Sequence, residues 1–208
     1  MVSCSKKQES NNIPVEEKKA ETQNKIYEKE ILCDSIYKSS TYQIILRFFS
    51  DEKSYDENDK NTVFIFSKKE NGNYKELLRD SIQSHFGSYK FEDFNGDGIK
   101  DILIENISDV RSNITYYLYL VDLENDKLAK VMNFNEIKNP NYLSEFNLID
   151  NNVASGRYWT SFYQIRKDTV FDFGYVVYQG INEEGNVIDF EKEYQETLSK
   201  VLQNKKDK

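Results

Sequence analysis

The chain has 208 residues, of which 38% are hydrophobic and 31% charged, enough for one domain with a core that needs no disulfide support. Its formal net charge of −8 sets up a field that repels phosphate backbones, which argues against a nucleic-acid partner and for a basic protein or a cation. No segment approaches the roughly 20 consecutive apolar residues of a membrane-crossing helix, and 15 Tyr and 13 Phe against 2 Pro favour pleated sheet over a helical bundle.

In chain order, Met1-Val2-Ser3-Cys4 comes first and resembles the end of a bacterial lipoprotein signal, in which a small residue precedes the cysteine that is lipidated. The reading implies a hydrophobic signal core upstream of Met1, with Cys4 as an ordinary thiol the alternative. Residues 1–24, rich in Lys, Glu, Gln and Asn after Cys4, are expected to be a polar, disordered tether, and 25–208 a single β-rich calcium-binding domain. With Cys4 lipidated, Cys33 has no disulfide partner and is expected to be a buried thiol.

Strands are predicted at Tyr42 to Phe49 and Val63 to Phe66, and Asn71-Gly72 gives a type I′ hairpin signal into Tyr74 to Leu78. Ile102 to Ile104 and Tyr116 to Val121 are apolar enough for central strands, and Glu124-Asn125-Asp126 turns the chain into Leu128 to Phe134. Phe146 to Ile149, Tyr158 to Arg166 and Val170 to Tyr178 follow as strands, with Asn151-Asn152, Lys167-Asp168 and Glu184-Gly185-Asn186 as turns. Phe190, Tyr194, Leu198, Val201 and Leu202 fall on one helical face, with Asp189 placed as N-cap. The expected fold is mostly β: an antiparallel meander forming a sandwich or a small propeller-like or barrel-like sheet, with one C-terminal helix.

Asp93-Phe94-Asn95-Gly96-Asp97-Gly98-Ile99-Lys100-Asp101 stands out within this meander. Asp93, Asn95 and Asp97 take positions 1, 3 and 5 of a calcium loop, Gly98 the turning position 6, the Ile99 carbonyl position 7 and Asp101 position 9. An EF-hand would carry a bidentate Glu at position 12; this chain has Ile104 there, between flanks that read as strands. The prediction is a β-loop-β site for Ca2+, a structural staple rather than a catalytic ion. The pattern occurs once, which disfavours a propeller with one metal loop per blade.

Little else carries chemistry. His85 is the single histidine, which removes His-clustered zinc sites, and no motif marks a serine as nucleophile. The glycines at 96 and 98 belong to an acidic loop that would repel phosphate. The expectation is a protein that is not an enzyme. Ser155-Gly156-Arg157-Tyr158-Trp159 reads two ways: a small turn carrying residue types that dominate interface energetics, suited to a partner's cleft, or a strand start whose aromatics pack in the core.

With these residues in view, the stretch from about Phe91 to Phe173 resembles a family of bacterial envelope lipoproteins with a single Asp-x-Asn-x-Asp-Gly-x-x-Asp calcium loop, related to periplasmic inhibitors of animal-type lysozymes and to immunity proteins against lysozyme-like toxins. The likeness rests on the acidic loop followed by Ile102-Leu103-Ile104, then Tyr117-Leu118-Tyr119, Asn139-Pro140, and Ser155-Gly156-Arg157-Tyr158 leading to Tyr163. The resemblance implies that a Ser-Gly-x-Tyr loop, here Ser155 to Tyr158, enters the active-site cleft of a basic, lysozyme-like partner. It also implies a cell-envelope location, lipid-anchored on the periplasmic or outer surface, with no other membrane contact. Two rivals remain open: a structural or adhesive calcium-binding surface module, and an envelope hydrolase using acids near the metal.

Overall fold

A computed structural model describes residues 27–38, 41–49, 60–181 and 185–206. Cys4 and the tether expected over 1–24 lie outside the described residues. The described chain forms three antiparallel sheets and one helix. β1 (Tyr27–Leu32), β2 (Tyr42–Phe48), β3 (Thr62–Glu70) and β4 (Asn73–Ile82) pair in sequence order in the first sheet. β5 (Tyr89–Glu92), β6 (Asp101–Ser108), β7 (Ile114–Asp122) and β8 (Lys127–Lys130) do the same in the second. In the third, β9 (Pro140–Leu143) pairs with β10 (Leu148–Asn151), while β12 (Tyr158–Arg166) takes β10, the short β11 (Val153–Ala154) and β13 (Thr169–Tyr178). The helix α1 spans Phe190–Lys206.

Side-chain periodicity explains the stacking. Along β6, Ile102 and Ile104 point to one face and Leu103 to the other, and all three are fully buried, because a strand buried on both sides reads as a continuous apolar run. Ile102, Ile104, Tyr119 and Val121 pack against Ile44, Leu46, Phe64 and Phe66 of the first sheet. Leu103 and Leu118 face the opposite way, toward Ile149 of the third sheet and Phe134. Leu148, Phe162 and Val177 on the far side of the third sheet are covered by Leu198 and Val201 of α1. The second sheet is thus the middle layer, and truncating Leu103 to Ala would cost about 2–5 kcal/mol.

Local signals account for many boundaries. Asn71 and Gly72 adopt φ of 50° and 85°, the paired positive values a type I′ hairpin requires. The Asp189 carboxylate accepts the Lys192 N–H at 3.3 Å, capping α1 as expected. Cys33 is fully buried, and burial pushes its thiol up to about 12.

Elsewhere the structure corrects the sequence reading. None of the sheets among the described residues closes on itself, so the barrel-like alternative falls away and the sandwich stands. The strand expected to Phe134 stops at Lys130, because Asn133 turns to φ 64° and opens a 3-10 turn at Phe134–Glu136. Asn151, expected in a turn, is a buried residue of β10 whose side chain accepts the Ser161 N–H at 2.7 Å. The flanks of the acidic loop are strands as expected, but the first of them, β5, is an edge strand of the second sheet.

Candidate functional site

The pairing of Glu92 with Asp101 closes the β5–β6 hairpin and gathers residues 93–100 into its loop. Asp93 organises the loop from its first position: Oδ1 accepts the N–H groups of Asn95 (3.2 Å) and Gly96 (2.6 Å), and Oδ2 that of Gly98 (2.9 Å). The motif then repeats two residues at a time, with Asn95 Oδ1 taking the Asp97 N–H at 3.0 Å and Asp97 Oδ1 the Ile99 N–H at 2.7 Å. Such nested side-chain-to-backbone bonds are how Asx residues hold tight turns. Gly96 has φ 77°, and a Cβ there would meet the Tyr142 hydroxyl at 2.8 Å, so its backbone and its lack of side chain are both required.

The loop is bolted inward at two places. Phe94, between the first two acids in sequence, is 1% exposed and packs on Phe134 and Tyr142 with ring centroids 5.3 and 5.7 Å away. Asp101 is fully buried; its Oδ2 accepts the Phe94 N–H at 2.9 Å and its Oδ1 the Val121 N–H at 3.0 Å. Burial pushes the Asp101 carboxyl up to about 7, the two N–H bonds oppose that rise, and Asp97 and Asp93 add to it. Ile99 packs its side chain against the core shared by the first two sheets.

The donors at Asp93, Asn95, Asp97, the Ile99 carbonyl and Asp101 are all hard oxygens, the chemistry Ca2+ takes. Each Asp101 oxygen accepts one N–H and so keeps acceptor capacity. Among the described residues no three His, Cys, Asp or Glu side chains converge closely enough to hold an ion; the loop oxygens are turned onto the loop's own N–H groups. The donor set fits calcium in kind, while its convergence is not formed in this arrangement.

At the opposite end of the β6–β7 hairpin, roughly 25 Å away by strand rise, a second constellation holds the Ser155 turn. Asn113, only 2% exposed, donates from Nδ2 to the Ala154 carbonyl at 2.8 Å and accepts the Ala154 N–H on Oδ1 at 3.0 Å. Asp109 fixes Asn113 in turn, accepting its Nδ2 at 2.8 Å and its backbone N–H at 3.0 Å. The Asn113 amide, with further N–H donors and Lys138, holds the Asp109 carboxyl well below the usual carboxylate range. Asn139 adds a second side-chain amide, donating to Asn113 Oδ1 at 3.2 Å.

On this base Ser155, Gly156, Arg157 and Tyr158 are exposed and Trp159 is half-buried. Tyr158 opens β12 as the strand-start reading expected, but at 56% exposed it does not pack in the core, while the half-buried Trp159 does so in part. Trp159 Nε1 donates to Ser155 Oγ at 3.0 Å across the turn, fixing the serine rotamer. Gly156 turns at φ 82° with open space around it, and the Arg157 guanidinium lies 6.0 Å from the Tyr178 ring. His85 is half-buried beside Phe86, its ring 6.3 Å away.

The sequence pointed to both loops and, through the resemblance, to Asn139, but not to Asn113 and Asp109; the polar run from Ser108 to Asn113 between two apolar strands was the available signal. Compared with known proteins, the chain matches no family model, no curated protein and no solved structure.

Proposed function

We propose that the protein is a calcium-stabilised, non-enzymatic lipoprotein of the bacterial envelope, anchored through Cys4, that binds and blocks a lysozyme-like or other secreted toxin. The observation that carries the reading is the Ser155–Trp159 turn, which is exposed at its tip yet braced from behind by Asn113 and internally by the Trp159–Ser155 bond. A rigid projecting turn loses little entropy on entering a cleft, and Ser, Arg and Tyr at its tip offer hydrogen bonds, a cation and a ring face there. Arg157 suits the carboxylates of a hydrolase cleft, and the net charge of −8 suits steering toward a basic partner.

Calcium has a supporting part. An ion between Asp93, Asn95, Asp97 and Asp101 would relieve the mutual repulsion of the three carboxylates and tie β5 to the β6–β7 hairpin that carries the brace. The depth of Phe94 and Asp101 also favours a second reading, a structural or adhesive surface module in which the loop is only a staple. Retention on an immobilised animal-type lysozyme, with inhibition of its turnover of a cell-wall suspension, separates the two. Binding that weakens in Tyr158→Ala and Arg157→Ala variants supports the inhibitor; no retention at moderate salt favours the module.

A further inference from the structure

A polar cleft of about 390 Å³, sharing no residue with the acidic loop or the Ser155 turn, opens between β6, β7 and the 3-10 turn, with Gln83, Asn106, Thr115, Tyr117, Asn135 and Glu136 among its walls. Its centre is a bulge. The β6–β7 register jumps between Glu105 opposite Tyr116 and Ser108 opposite Ile114, so Asn106 and Ile107 together face Thr115. Bulges re-aim side chains, and this one carries Asn106.

Asn106 is 6% exposed, and Nδ2 donates to Thr115 Oγ1 at 3.2 Å. Its Oδ1 has no hydrogen-bond partner, the single buried side-chain atom among the described residues in that position. Exchanging the amide ends would give the oxygen the Thr115 hydroxyl and bring the NH2 group to the position Oδ1 now holds. A buried acceptor without a donor keeps its full desolvation penalty, and the broad torsion of an Asn amide lets it turn toward the cleft. One water, about 30 Å³ of liquid volume, would occupy a small part of the space.

The walls define what fits. Amide and hydroxyl groups dominate, which excludes an apolar ligand. The exposed Glu136 disfavours an anion, and with the Lys138 ammonium paired to Asp109 at 3.4 Å a single carboxylate among amides and hydroxyls is a poor set for a metal cation. What remains is a neutral molecule that both donates and accepts at several points. We propose that this cleft binds a small saccharide, one of whose hydroxyls donates to Asn106 Oδ1 while others meet Gln83, Tyr117 and Asn135.

The full chain, labelled with 15N, is titrated with glucose, N-acetylglucosamine and maltose while the side-chain amides of Asn106 and Gln83 are followed by NMR. The expected result is a saturable shift of both with at least one sugar. The double variant Asn106→Leu/Thr115→Val removes both partners of the internal bond; it should lose the Gln83 shift and melt no lower than the native protein, because a matched apolar pair leaves no group unsatisfied. Should the double variant fail to fold, Asn135→Ala, which alters only the mouth, must weaken the same shift. Absence of any saturable shift, its persistence in the variants, or a lower melting temperature in a folded double variant would each overturn the assignment.

Discussion

The acidic loop and the Ser155 turn occupy opposite ends of one hairpin and use their polar atoms in opposite ways. In the loop, Asp93, Asn95, Asp97 and Asp101 direct their oxygens inward to backbone N–H groups, and Phe94 is driven into the core. In the turn, Asn113 braces the backbone from outside the segment and the Trp159–Ser155 bond ties it from within, while Arg157 and Tyr158 stay exposed at the tip. A segment that consumes its own polar groups stabilises; one held by its neighbours can offer them to a partner.

Substitutions sharpen that contrast. The largest stability loss should follow Asp101→Ala, which strands the buried N–H groups of Phe94 and Val121 and costs about 2–5 kcal/mol, read as a fall in melting temperature of order 10 °C. A melt within a degree of native would show that the loop does not hold β5 to β7. Tyr158→Ala should do the reverse: partner affinity falls by about 2 kcal/mol, near thirtyfold, while stability stays within about 0.5 kcal/mol. If Tyr158→Ala instead unfolds the domain, the turn belongs to the core after all.

Asn113→Ala lies between these extremes. It removes both bonds to Ala154 and should lower stability by about 1–2 kcal/mol and weaken partner binding without touching the partner. Equal binding by native and variant would separate the brace from the contact.

The smallest effect is in pH. Asp109 is held below its ordinary carboxylate value in the folded state, so its contribution is present above the unfolded value of about 4 and is lost as pH falls through the folded one. Chemical denaturation across that range should show a shallower acid decline in Asp109→Asn than in the native protein; parallel curves would assign the acid sensitivity to other groups.

Much of the scaffold could be read from the residues. The run Ile102-Leu103-Ile104 is apolar on both faces because two layers cover it, and Phe190, Tyr194, Leu198, Val201 and Leu202 share a helical face because one layer lies beneath. The acidic loop was legible because calcium-loop chemistry fixes oxygen donors at set local spacings. The brace was not legible, since Asn113 meets Ala154 across 41 residues and an amide that replaces a ladder hydrogen bond has no periodicity to betray it. Asn151 was misplaced in a turn for a related reason: Asn is a turn residue by local preference, yet here its amide satisfies the backbone N–H of Ser161 on a neighbouring strand. The end of β8 was hidden because apolar residues continue past it, serving the core from the 3-10 turn as Phe134 and Ile137 instead of from a strand.

The most direct test of the stabilising half of the account is calorimetric titration of Ca2+ into the chelator-treated full chain, with melting curves taken before and after. The account predicts one ion per chain, a rise of about 2.7 kcal/mol in stability at a hundredfold excess over Kd, and loss of both effects in Asp93→Asn/Asp97→Asn. No heat of binding and identical melts in calcium and in chelator would contradict it.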